Sequence, residues 1–275
     1  MNFIEALWSN PLLQMAVMAS LAASLVSGVI GSYVVVKRIV FISGSIAHSV
    51  LGGIGISLWL QRVQGIHWLS PIHGAIVSAI LSALLIGWIH LNYRQREDSV
   101  IAALWSIGMA TGVLFISKTP GFNIELSNFL VGNILFVSKT DLFFLLLLDA
   151  IILLLVFAFH KQFLAICFDE EQAELEGLNV QGLYFLLLSL IAVSIVILIQ
   201  IVGIVLVITM LALPATIANL FTSRLSSMMI LATIIASVLC LLGMATSYHM
   251  EWPPGATIAL LAGASYLAIL YYKQK

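Results

Sequence analysis

His48 stands about nine residues into the apolar run 39–60, about 13 Å along a helix axis from the nearer end. An ionisable group buried in lipid costs at least about 2–3 kcal/mol, so such a side chain faces a cavity or a hydrogen-bonding neighbour. Neutral imidazole is also a frequent ligand for zinc and neighbouring metals. Two readings stay open: a place on an ion or proton path, or a neutral histidine bonded to an adjacent helix. Ser43, Ser45 and Ser49 supply hydroxyls for either. Glu97 and Asp98 follow Arg94 and Arg96 and open another apolar run. They read as a solvated turn in which Asp98 caps a helix, or as exit ligands for a cation, set roughly two helical turns from His48. In Tyr-His-Met-Glu-Trp-Pro-Pro-Gly, His249 and Glu251 place an imidazole and a carboxylate two residues apart. That pair suits reception of a metal ion. An interfacial loop fixed by Pro253 and Pro254, with Trp252 as a belt aromatic, explains it equally. His67, His73, His90 and His160 fall near the ends of apolar runs, where interfacial or solvated roles are expected.

The acidic residues have a different message. Five of the twelve carboxylates lie in Phe-Asp-Glu-Glu-Gln-Ala-Glu-Leu-Glu-Gly, residues 168–177. Too polar for hydrocarbon, this island must stand in water, and it offers a docking surface for another protein. A short helix stopping at Gly177 fits the usual glycine terminus.

What carries these groups is set by composition. Hydrophobic residues make up 62% of the 275 and charged residues 8%, which defines an integral membrane protein. A crossing takes about 20 apolar residues, and lipid-buried backbone must satisfy its own hydrogen bonds. The runs lack the alternation of barrel strands, so the chain is read as an all-α, polytopic bundle forming a single membrane domain over 1–275. Spans are expected at roughly 12–36, 39–60, 71–92, 99–117, 141–160, 182–200, 203–222, 227–247 and 255–272. The tight turn at Gln200–Gly203 leaves eight crossings as the alternative to nine. Leu126–Val137 is too short to cross and is expected as a half-helix. With the amino terminus outside and the carboxyl terminus inside, Lys37, Arg38, Arg94, Arg96, Lys161, Arg224, Lys273 and Lys275 are cytoplasmic. Arg62, Lys118 and Lys139 alone are external, so the positive-inside rule selects this orientation. Residues 1–11 lack the basic start of a cleavable signal and read as a retained interfacial lead-in. Cys167 and Cys240 are too far apart in sequence and setting for a disulfide framework or cysteine metal cluster. The chain has no G-x-x-x-x-G-K-[ST], H-E-x-x-H or G-x-S-x-G motif, so ATP hydrolysis by a phosphate loop is excluded and enzymatic activity is not expected.

Glu171-Gln172-Ala173, then three residues and Gly177, resembles the Glu-Ala-Ala-x-x-x-Gly coupling segment of ABC importer membrane subunits. Further stretches are similar to the permeases of zinc, manganese and iron ABC importers. These are Gly28-x-x-Gly31-Ser32 with Val-Val-Val-Lys37-Arg38, Ile46-Ala47-His48-Ser49, Glu97-Asp98, Gly132 through Ser138 with Asp141, and Val202-Gly203 through Leu213-Pro214-Ala215. The resemblance runs from about residue 12 to 270 and puts His48 on the family histidine. Gly44 stands where that family has an aspartate, and Glu251 where it more often has one. Ser45, Asp98 or a water are the candidate substitutes for the missing carboxylate.

The resemblance implies a multi-pass permease of a bacterial cell membrane that holds no permanent cofactor and passes a divalent zinc, manganese or iron ion, zinc being slightly favoured. It further implies pairing with a second copy, two cytoplasmic ATPase subunits and an external metal-binding protein, and ATPase coupling through Glu171, Gln172, Ala173 and Gly177. A gradient-driven cation carrier or channel is the rival reading.

Overall fold

A computed structural model describes residues 3–93, 97–121, 132, 134 and 137–273. They form helices α1 Phe3–Ser9, α2 Pro11–Val36, α3 Val40–Arg62, α4 Pro71–Asn92, α5 Glu97–Ser117, α6 Lys139–Ala158, α7 His160–Phe168, α8 Glu170–Leu175, α9 Val180–Val202, α10 Ile204–Phe221, α11 Leu225–Met250 and α12 Pro254–Lys273. Among the described residues nine helices are long and apolar enough to cross a membrane, and no strand occurs. The nine expected spans correspond to these helices. The expected half-helix at 126–137 falls largely outside the described residues.

Local chemistry sets the helix ends. Asn10 accepts from the Leu12 N–H at 2.9 Å, with Pro11 at the first helical position of α2. Ser138 and Asp141 cap α6 reciprocally: the Ser138 N–H and hydroxyl donate to Asp141 Oδ2 at 3.1 and 2.6 Å, and the Asp141 N–H donates back to Ser138 Oγ. One residue, Gly203, separates α9 from α10, with φ 78° and ψ 162°. That region is open essentially to glycine alone, so the chain breaks there and the two runs are separate spans.

The chain divides into two compact units, each assembled from separate stretches of sequence. One comprises 1–38, 128–158 and 197–275. In it α2 packs on α6, α10 and α11, and α12 packs on α10 and α11. Gly28 lets α2 lie against the Thr233 backbone, Gly31 lets it lie against Leu211, and Gly132, at φ 81°, sits on Val202 and Gly203. In the other unit, 39–127 with 159–196, α3 is flanked by α4 and α5. Here small residues bring backbones together, Gly52 on Gly108, Gly55 on Gly112 and Gly53 on Gly74. With no hydrophobic drive between helices in lipid, such close approach is how spans gain dispersion energy.

Candidate functional site

His48 lies on α3 with its ring stacked on Trp105 of α5, centroids 4.1 Å apart and planes 18° from parallel. A Cβ on Gly44, one turn earlier, would meet Trp105 Cζ3 at 3.3 Å. The indole therefore lies over the face shared by positions 44 and 48, and a larger residue at 44 would crowd it. Ser45 donates to the Ile101 carbonyl at 3.0 Å and ties α3 to α5 at this level. Ser43 and Ser49 donate instead to Val40 and Ile46 of their own helix, at 2.7 and 2.8 Å. All three hydroxyl protons are committed to backbone carbonyls, so these serines face any passing cation with lone pairs only.

Asp98 is exposed in the first turn of α5, seven residues before Trp105 and so about 10 Å along the axis from the level of His48. It is placed as a helix-start carboxylate, apart from the imidazole. Glu97 opens the same helix, and its side chain lies outside the described set. His249 and Glu251 are both exposed at the end of α11. Glu251 takes the left-handed conformation at φ 56° and ends the helix, while the Ser247 hydroxyl donates to the Trp252 carbonyl. His249 packs edge-on against Tyr248, with centroids 5.7 Å apart. His48 and Asp98 belong to one unit, His249 and Glu251 to the other. Among the described residues no three histidine, cysteine, aspartate or glutamate side chains gather as a ready metal cluster.

The acidic island is built in detail. The Asp169 carboxylate accepts from the Gln172 N–H at 3.0 Å and starts α8. At the other end Leu178 N–H reaches Ala173 O at 3.1 Å and Gly177 N–H reaches Glu174 O at 2.9 Å, with Gly177 at φ 83°. This is the paired 6→1 and 5→2 closure of a glycine-terminated helix. Ala173 is buried, whereas Glu171, Gln172, Glu174, Glu176 and Gly177 are exposed. Phe168 is 71% exposed and Leu175 89%, so two large apolar side chains project among the carboxylates. Glu170 lies 3.7 Å from His90 Nε2 at the end of α4, and the His90 ring packs on Tyr184 of α9.

Sequence reasoning passed over Trp105, whose part depends on the α3–α5 register. It named Gly132 within a motif but not its contact with Val202 and Gly203, which joins two of the quoted motifs in space.

The nine apolar helices among the described residues define a multi-pass membrane protein. Residues 9–273 match the model of the ABC 3 transport family, and the chain belongs to that family as a bacterial membrane permease rather than an enzyme. A "Probable metal transport system membrane protein" of Chlamydia trachomatis is 48% identical over 264 residues, 96% of this chain and 90% of that protein. The "Manganese transport system membrane protein MntC" of Halalkalibacterium halodurans is 32% identical, covering 99% and 91%. Among solved structures, a chain of "PsaBC from Streptococcus pneumoniae in complex with Fab" superposes with TM-score 0.84 at 31% identity, covering 97% of this chain and 93% of that one.

Proposed function

We propose that this chain is the permease of an ATP-driven importer of a divalent transition metal ion, working with a second copy, two cytoplasmic ATPase subunits and an external metal-binding protein. The observation that carries the reading is α8. It is a capped, glycine-terminated helix whose exposed carboxylates surround two projecting apolar side chains, which suits a motor subunit. Force applied there moves the bundle between outward and inward states, and the ion passes by His48, with Asp98 and Glu97 at the exit and His249 and Glu251 at the entrance. Manganese stands first among the cargoes, on the name of the Halalkalibacterium relative. Zinc stands second, on the imidazole of His48. The deciding experiment is the metal content of a strain lacking this chain, starved separately of manganese, zinc and iron and then complemented. Loss of manganese uptake restored by the intact chain, and not by a Glu171, Ala173 and Gly177 triple substitution, is expected. Normal uptake after deletion of the ATPase would overturn the reading in favour of a gradient-driven carrier.

A further inference from the structure

Asp149 stands in the middle of α6, nine residues before Ala158, and is 3% exposed. Neither of its carboxyl oxygens has a hydrogen-bond partner. It belongs to the face Leu142, Leu145, Asp149, Ile152, Val156 that α6 buries. Among the described residues the helix most extensively packed on α6 is α2, whose 26 residues include no charged side chain and one titratable group, Tyr33. On α6 itself the other charged groups are Lys139 and Asp141, at the far end of the helix. So the packed pair supplies no counter-charge at the depth of Asp149. Ser27 of α2, 0% exposed, also has an unpartnered hydroxyl. It stands nine residues before Val36. The two spans are four crossings apart and run in the same direction, so both orphaned groups sit about 14 Å from the matching helix ends. Buried polar groups are nearly always bonded, and a buried carboxylate is paired or neutralised. Two unpaired ones on one packed helix pair, each about as far from its own helix end, ask for a ligand.

We propose that Asp149 is a proton-binding site inside the membrane, with Ser27 as the group that accepts its hydrogen bond when α6 shifts over α2. The choice of a proton follows from the charge count: one carboxylate, no basic neighbour on the packed helix, and no group of three metal-ligating side chains among the described residues. Loading forms one O–H bond, the proton comes from water, and unloading returns it there. Raising the pH strips the proton and leaves a bare charge among apolar side chains. The α2–α6 packing, and the uptake that depends on it, then weaken.

The test uses the permease labelled with 13C-carboxyl aspartate, assembled with unlabelled ATPase subunits in lipid and followed by infrared spectroscopy. The chain has four aspartates, and Asp98, Asp141 and Asp169 are exposed, so a buried carboxylic acid signal belongs to Asp149. Expected is an isotope-shifted acid C=O band at neutral pH that disappears on alkaline titration, is missing from Asp149→Asn and is unmoved by Mn2+. Uptake by the intact protein falls across the same alkaline range, while that of Asp149→Asn, whatever its level, stays flat. Carboxylate bands alone at neutral pH, an acid band abolished by Mn2+, or identical pH profiles for the two proteins would each overturn the proposal. If the asparagine variant does not assemble, titration of the labelled intact protein decides by itself.

Discussion

Trp105 changes how position 44 must be understood. In the aspartate-bearing pattern a carboxylate stands one turn before the histidine, and here the indole covers that face at a distance that leaves a new Cβ 3.3 Å from Cζ3. An edge of an aromatic ring can yield a few tenths of an ångström, so Gly44→Ala should leave the melting temperature of the solubilised protein nearly unchanged. Gly53→Ala is the contrast. Its Cβ would enter the backbone carbonyl of Gly74, α3 and α4 would have to separate, and about 1–3 kcal/mol of overpacking should appear as a clear drop in that melting temperature. Gly44→Asp tests function. It returns a carboxylate to within one turn of His48, so manganese retention by the assembled transporter should rise, and His48→Ala should cancel the gain. A gain that survives His48→Ala would remove the imidazole from the ion's route. His48 was legible because an ionisable residue inside an apolar run stands out in any single sequence. Trp105 was not, because one tryptophan among many apolar residues acquires meaning only when Ser45 meets Ile101 and Gly52 meets Gly108 to set the register. Asp149 meets the same criterion as His48, a carboxylate inside the apolar run 141–160, and the sequence reading passed over it; only the face it occupies had to come from the packing of α6.

Helix ends were the most legible elements, since their chemistry is local. Gly177 was readable as a stop because a left-handed terminus costs most other residues about 1–2 kcal/mol. The structure adds the two backbone closures and the Asp169 cap, which together fix where Phe168 and Leu175 point outward. Gly177→Ala should therefore lower co-purification of the ATPase subunits. Gly177→Asn should lower it less, since asparagine tolerates the left-handed region better. Equal losses in the two variants would place the role of Gly177 in something other than backbone conformation. Gly203 follows the same logic at a deeper level. The tight turn was visible in sequence as a problem of count, eight crossings or nine. It took the dihedral pair of 78° and 162° to turn that problem into two spans joined at a single residue. What no periodicity exposed was the use of Gly132 as the partner that lies against this break, because the two stretches are 70 residues apart.

At the scale of the whole molecule, the bundle was legible because composition and run length leave few alternatives for a chain that is 62% apolar. The orientation expected from the sequence rests on a different quantity, the placing of eleven lysines and arginines. By the positive-inside rule we propose that the α3–α4 turn lies outside and α8 inside, which is the arrangement a cytoplasmic motor requires. Both places offer exposed residues: Gln64 in the turn after α3, and Glu171 on α8. In a background with Cys167 and Cys240 replaced by serine, single variants Gln64→Cys and Glu171→Cys should respond oppositely to a membrane-impermeant maleimide. Applied to intact cells, the reagent should label position 64 and spare position 171, and permeabilised cells should expose both. Labelling of position 171 from outside would invert the bundle, carry the acidic helix away from any ATPase and remove the basis for motor coupling, while leaving the nine helices and their packing as they stand.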